Sequence, residues 1–519
     1  MADNILKTPF GDFVGNDGEG LVQYLGIQYA RLQDRLAKPE MVDRYDDRVD
    51  ATKIGPRVIS LEACQFEQSS LIQQTLDTPP APPMSDLDCL NLNITTPTRN
   101  SEELLPVMVF VHGGGYIMGA NWWPQYDCTN LVKLSIQQGT PVVAINFNYR
   151  LAVAGNLTSE ELRRAGYPGN NSLRDQRCAL NWIKTHITAF GGDSDNITLF
   201  GESAGAVSVL THLFSKDALF NRAISMSGTP LMLKPLSPST AEQTYNQIMQ
   251  HLGLENSTAE ERIHRLLTMN PDELVQKTPM TVPLTPYQDG DIIPCTMTFG
   301  QVEEMIDSLP GSTWCKELLI GHCKHDGNVF AYMGLAERRS GIAAAFCKSF
   351  SNSLGESAAR AIFEGYGLSP STSDEVAWTI VVLFASDIAY KLPAITFAQS
   401  FPGKAYLYRF EEPNPWDGLF KGYSTHMLDA AFLFQNFNDQ LAHGARDTAF
   451  ALAKDFVAFA HGAGPWPSTS DSLEPGKVYG QSGEDGQEDI LLRLQREGRI
   501  SLDDVNAAWE KFLTNKDCL

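Results

Sequence analysis

Short unbroken apolar runs alternate along this chain with longer stretches in which apolar residues return every three or four positions. The runs at 105–111 and 141–147 contain no charge, the pattern of strands covered on both faces. Further strands are predicted at 196–200, 222–228, 316–321 and 404–410. Leu90-Asn91-Leu92-Asn93-Ile94 alternates with period two, and short strands with glycine turns fall within 7–30. Between 172 and 190, Leu173, Ala179, Leu180, Trp182, Ile183 and Ile187 recur at near-helical spacing, and Gly191-Gly192 ends that helix. Helices are also predicted over 238–280, 355–395, 445–461, 487–497 and 501–514. Residues 62–88 read as an irregular loop rich in Pro and Gln. Strands alternating with helices predict an α/β protein: a large, mostly parallel central sheet, helices on both faces, and helical insertions. No repeat or linker interrupts the pattern, so 1–519 reads as one domain.

The strand at 196–200 runs into Gly201-Glu202-Ser203-Ala204-Gly205, and small apolar residues follow. Gly-x-Ser-x-Gly between a strand and a helix is a nucleophile elbow. The turn lifts the Ser203 hydroxyl clear of the sheet, and the two glycines leave room for neighbouring backbone. The helix that follows aims the positive end of its dipole at developing negative charge. Upstream, the run 105–111 ends in His112-Gly113-Gly114-Gly115-Tyr116. Consecutive glycines at a strand end free backbone N–H groups to face an oxyanion. Gly114, Gly115 and Ala204 are the expected donors. A serine needs a base, and the base an orienting acid, in the chain order Ser, acid, His. Asp326, before a glycine turn after the strand at 316–321, is the candidate acid. His426, after the strand at 404–410, is the candidate base. His322 and His325 come too early for that role, and His443 lies in or beside a helix.

Composition narrows the partners. A net charge of −22 disfavours nucleic acid and anionic membrane surfaces. No apolar stretch reads as long enough to span a bilayer. No basic segment followed by an apolar run opens the chain, and Cys518, next to last, makes no prenylation box. The expectation is a cytoplasmic protein. Nine cysteines without a Cys-x-x-Cys pair argue against a zinc or redox site; no metal and no cofactor are expected. Asn93, Asn156, Asn170, Asn196 and Asn256 begin Asn-x-Ser/Thr triplets, read as chance.

Across about residues 7 to 515 the sequence resembles the type-B carboxylesterases, the family that includes the cholinesterases, within the α/β-hydrolase fold. The resemblance rests on Ser85 to Asn93, His112 to Tyr116, Asn148-Tyr149-Arg150-Leu151, Gly169 to Gln176, Phe190-Gly191-Gly192-Asp193 and Gly201 to Ala206. It implies Ser203 as nucleophile, His426 as base and then acid, and Asp326 as the group that orients His426. The family usually has Glu where this chain has Asp326; Asp is one methylene shorter, so the His426 loop must approach closer. Glu202 and Asp429 would be supporting acids, Asp429 the weaker alternative for the orienting role. The resemblance also pairs Cys64 with Cys89 as a possible disulfide, while the second disulfide of secreted members has no match here; that points to a cytosolic form in which the pair can stay reduced, and its oxidation is left open. Homodimers through C-terminal helices are known by analogy; the oligomeric state is left open.

Cholinesterases carry a Trp on the loop between those cysteines to stack a quaternary amine. The loop here has Phe66 and no Trp or Tyr, so no cation–π cage is expected. Tyr116, Trp122 and Phe330 are the candidate substrate contacts, and residues 282–287 suggest a medium hydrophobic acyl pocket. The expected activity is hydrolysis of uncharged, fairly hydrophobic esters, with a small-molecule substrate. The alternatives are acyl transfer or a biosynthetic lyase reaction on the same residues, since fold and triad do not determine the acceptor, and a non-catalytic binding protein, which would typically have lost a triad member.

Overall fold

The computed structural model describes residues 5–98, 102–469, 476–480 and 489–514. Cys518, the first four residues and the start of the helix expected over 487–497 lie outside them. A ten-stranded sheet organises the chain: β1 (Asn16–Gly18), β2 (Leu21–Gln28), β3 (Asn91–Pro97), β4 (Leu105–Val111), β5 (Val143–Phe147), β6 (Gly192–Glu202), β7 (Arg222–Met226), β8 (Glu317–Cys323), β9 (Lys404–Phe410) and β10 (Lys477–Tyr479). Their spatial order is β10-β9-β8-β7-β6-β4-β5-β3-β2-β1. Neighbours from β10 to β5 run parallel, and the β5–β3, β3–β2 and β2–β1 pairs are antiparallel. The sheet is therefore mixed with a parallel majority.

Alternation along each strand divides the core into two layers. Val107, Val109 and Val111 of β4 face one layer, and Met108 and Phe110 face the other. Among the helices that flank the sheet are α1 (Thr129–Gln137), α2 (Asn171–His186), α3 (Ala204–Thr211), α4 (Leu428–Leu433) and α5 (His443–Ala460). Helices α2 and α3 bury their apolar faces in the Val109 layer, and α1, α4 and α5 in the Phe110 layer. With both faces covered, the strand interiors read as continuous apolar runs.

Arg150 and Asp175 join the end of β5 to α2 through two parallel bonds, Nε to Oδ2 at 2.8 Å and Nη2 to Oδ1 at 2.7 Å. Both are buried, and the remaining guanidinium nitrogen donates to the carbonyls of Arg35 and Ala37. Three sequon asparagines are also structural: Asn93, Asn156 and Asn170 are buried and bond the backbone of Gly26, Leu284 and Tyr287.

Two expectations are corrected, and one left open is answered. The segment 62–88 is not wholly irregular: Cys64–Phe66 is a helical turn that continues as a π-helix over Glu67–Ile72. One helical stretch, Asp374–Ser400, is long and apolar enough to cross a bilayer, but 78% of its apolar window is buried inside the protein, as in a core helix. Cys64 and Cys89, whose oxidation the sequence left open, are free thiols. Cys64 packs in the Phe110 layer and Cys89 in the Val109 layer.

Candidate active site

β6 ends at Glu202 and α3 begins at Ala204. Between them Ser203 holds φ 54° and ψ −124°, a conformation that L-residues rarely adopt and that costs on the order of 1–3 kcal/mol. The neighbours over-determine it. Ser203 N–H donates to Met226 O of β7 at 2.9 Å, and Ser203 O accepts from Val207 N–H at 3.0 Å. A Cβ on Gly201 would lie 2.5 Å from the backbone carbon of Gly205, one on Gly205 2.0 Å from Val111 O, and one on Gly228 2.2 Å from Ser203 O. The elbow is thus wedged against the ends of β4 and β7.

The glycine loop leaves β4 beside it. A Cβ on Gly113 would sit 3.0 Å from Ser203 Cβ, and Gly114 and Gly115 hold φ 90° and 62°. Among the described residues no acceptor takes the N–H of Gly114 or Gly115. The N–H of Ala204 belongs to the group that helix geometry leaves unpaired. His112 stacks on Tyr149 at 4.4 Å and packs its Nδ1 3.0 Å from Gly113 O; burial pushes it down to about 4, so it is neutral near pH 7.

Asp326 follows β8 and His426 follows β9. A single β-bridge pairs His325 with Thr425, and His325 N–H donates to Ser424 O at 2.8 Å. Asn328 Oδ1 accepts His426 N–H at 2.9 Å. This lacing brings the two loops together, and Asp326 Oδ1 stands 2.8 Å from His426 Nδ1. The other oxygen, Oδ2, accepts Cys323 N–H at 2.8 Å. The shorter acid therefore reaches. Asp429 is engaged elsewhere, taking Tyr408 Oη–H at 2.7 Å.

The carboxylesterase family matches the chain over residues 2–460. The chain belongs to this family. Para-nitrobenzyl esterase of Bacillus subtilis (strain 168) is 33% identical over 284 residues, which are 53% of this chain and 53% of that protein. The aligned part thus spans about half the length of that relative. Acetylcholinesterase of Bungarus fasciatus is 29% identical over 449 residues, 78% of this chain and 69% of that protein. The crystal structure of a Geobacillus stearothermophilus carboxylesterase is 25% identical with a TM-score of 0.73, covering 92% of this chain and 96% of that one.

Around His426 this carboxylesterase-family chain buries three further acids. Glu202 Oε1 lies 3.1 Å from His426 Nε2 without the alignment of a hydrogen bond, and neither of its oxygens has a hydrogen-bond donor. Burial, then the charges of Asp429, Glu67 and Asp326, push Glu202 well above the usual carboxylate range. Glu67, on the π-helical turn, accepts from Tyr126 Oη at 2.5 Å and Gln125 Nε2 at 2.9 Å; burial pushes it up to about 7. Asp429 is pushed up to about 6, first by burial and then by Asp326. Tyr390, from the core helix, packs 5.3 Å from the His426 ring. Glu67 and Tyr390 had no motif to mark them; the only trace of Glu67 is an acid in a segment otherwise rich in Pro and Gln.

A small cavity lies against α3, walled by Val207, Thr211, Leu233, Pro286, Met297 and Tyr116. Tyr116 is buried with its hydroxyl 2.8 Å from Ser208 Oγ, so its ring forms wall. Trp122 and Phe330 do not line this cavity. Trp122 is buried in the Phe110 layer, and Phe330 packs edge-on against Trp509 at 5.3 Å. Both are core residues because their large rings close the layers beneath the loops that carry them.

Proposed function

We propose that this protein is a serine carboxylic-ester hydrolase that acts on uncharged, hydrophobic esters through an acyl-enzyme. The observation that carries the reading is the 2.8 Å Asp326–His426 pair beside a serine held at φ 54°. Membership of the carboxylesterase family supports the reaction class.

Ser203 Oγ attacks the ester carbonyl carbon while its proton passes to His426 Nε2. Among the described residues Ser203 Oγ and His426 Nε2 share no hydrogen bond, and Nε2 lies 3.1 Å from Glu202 Oε1; the serine–histidine bond would form as substrate binds. Asp326 holds Nδ1 protonated, so Nε2 is the basic nitrogen, and its charge stabilises the imidazolium that forms. The carbonyl oxygen, now negative, accepts from the N–H groups of Gly114, Gly115 and Ala204, each donor contributing about 3–4 kcal/mol in the transition state. His426 returns the proton to the departing alcohol oxygen. It then takes a proton from water, whose oxygen attacks the acyl carbon and releases the acid and Ser203. The apolar cavity against α3 matches a hydrophobic acyl group.

The test is hydrolysis of p-nitrophenyl esters from acetate to dodecanoate, with Ser203→Ala alongside. The expected result is turnover by the native chain with an optimum at intermediate acyl length, and none by the variant. Turnover unaffected by Ser203→Ala would remove the reading.

A further inference from the structure

Tyr116 directly follows the last glycine of the loop, and its backbone holds φ 62°, a left-handed conformation exceptional for a bulky residue. Its side chain is buried and reaches across to α3, where its hydroxyl lies 2.8 Å from Ser208 Oγ. Ser208 Oγ in turn bonds Ala204 O, one turn back along the helix, at 3.0 Å. Gln176 Nε2 of α2 donates to the same Ser208 Oγ at 3.1 Å, and Gln176 Oε1 lies 2.8 Å from His212 Nε2. Ser208, Gln176 and His212 are all buried.

Chemistry fixes the direction of each bond. A carbonyl oxygen only accepts, so the one hydroxyl proton of Ser208 goes to Ala204 O. An amide nitrogen only donates, so Gln176 fills one lone pair of Ser208 Oγ. The second lone pair remains, and Tyr116 Oη–H is its donor. His212 is neutral, because burial and then the charge of Arg177 hold it well below the usual histidine range; with its proton on Nε2 it donates to Gln176 Oε1. Every donor in the chain is thereby committed, and turning one away would leave it buried and unpaired.

The chain joins the two sides of the oxyanion hole proposed above. Its last acceptor is the carbonyl of Ala204, the residue whose N–H forms one side. Its first donor is on Tyr116, next to Gly115 on the other side. A trans peptide sets its C=O and N–H in opposite directions. Gly114 O takes Ile117 N–H at 3.0 Å and Met118 N–H at 3.1 Å, so Gly115 N–H points out of that turn. The backbone of Tyr116 is tied on its own side, where its carbonyl takes Ala152 N–H at 2.8 Å; the hydroxyl ties it to the helix of the serine.

We infer that the Tyr116 hydroxyl is a positioning group for the ester reaction, a strut that sets the N–H groups of the glycine loop against the N–H of Ala204. This rests on the hydrolase reading above and adds the residue that fixes the width of the hole. The hydroxyl is spent on Ser208 and acts through Gly115. A misplacement of ~1 Å in such a site can cost about a hundredfold. The charge it serves exists only in the transition state, so its loss falls on kcat and not on KM.

The experiment uses Tyr116→Phe, which keeps the ring and leaves no donor unpaired. With p-nitrophenyl hexanoate, kcat should fall about tenfold to a hundredfold while KM stays within about twofold. A hexyl trifluoromethyl ketone forms an adduct with Ser203 that carries an oxyanion, and its affinity should weaken by the same factor as kcat/KM. Hexyl methyl ketone, which lacks the fluorines that favour the adduct, should bind both proteins equally. A purely structural role would lower the thermal midpoint and leave the affinity ratio of the two ketones unchanged, and that result would overturn the strut. Ser208→Ala removes the other end of the same bond, so the double variant should lose less kcat than the product of the two single losses; a full product would also overturn it. Native kcat in Tyr116→Phe, with turnover still abolished by Ser203→Ala, would remove the strut alone. A native chain that neither turns over the ester nor binds the trifluoromethyl ketone would remove the hydrolase reading and the strut with it.

Discussion

Asp326 sits where the resemblance leads one to expect a glutamate, and two laced loops bring it to His426. Asp326→Asn should therefore keep the fold and still lower kcat by about 10⁴, because an amide no longer enforces the Nδ1–H tautomer. Asp429→Asn should cost less than about tenfold, since its carboxylate is spent on Tyr408. Steady-state kinetics on both variants checks this, and the reverse ranking would transfer the orienting role to Asp429. Glu67 makes a different prediction. Burial lifts it from 4.5 to about 7, so the folded chain holds its proton more tightly than the unfolded chain does. Its contribution to stability is full below the unfolded value and is lost as pH rises through the folded one, a difference of about 3 kcal/mol. Relative to the native protein, Glu67→Gln should gain stability between pH 5 and pH 8, read by urea denaturation at both; a difference that does not change with pH would show that Glu67 ionises freely. The elbow at Ser203 and the pairing of Asp326 with His426 were legible in the sequence because a strand–helix turn and two strand ends constrain their neighbours. Glu67 was not, because its partners Gln125 and Tyr126 lie more than 50 residues away in the chain.

At the scale of elements, the elbow and the glycine loop behave as one joint. Gly205 abuts the last carbonyl of β4, where the loop begins, so a side chain there would push apart both halves of the site. Gly205→Ala should destabilise the protein by at least about 3 kcal/mol, since backbone cannot yield to a contact that short. Gly115→Ala meets nothing closer than 3.9 Å, and only its positive φ resists, at about 1–2 kcal/mol. Chemical denaturation of the two variants should show that ranking, and equal losses would mean that the joint is soft. The strands of this joint could be read from their apolar runs, since both faces of the sheet are covered. Strand β10, three residues long, and the π-helical turn carried no period long enough to read. The cavity walls escaped for another reason: Tyr116, Val207, Leu233, Pro286 and Met297 come from distant parts of the chain, and only the fold brings them together.

The two cysteines that the resemblance joins are not joined in the molecule. Cys64 and Cys89 are each almost wholly buried free thiols, packed with different core clusters. Cys64 instead receives Gln68 Nε2–H at 3.4 Å and lies 3.6 Å from Gln125 Oε1, within the network that also holds Glu67. Burial pushes both thiols up to about 12, which keeps them protonated and poor at exchange. The π-helical turn is thus held beside His426 by packing and hydrogen bonds, without a covalent strap. A titration of thiols in guanidinium without reductant tests this directly. Eight cysteines are free among the described residues, so no fewer than eight should react, and reductant should leave the thermal midpoint of the folded protein unchanged. A disulfide between Cys64 and Cys89 would leave at most seven of the nine cysteines reactive. It would also make reduction cost about 3 kcal/mol, the closure entropy of a loop of that length. That outcome would replace the hydrogen-bonded account of how Glu67 is held with a covalent one.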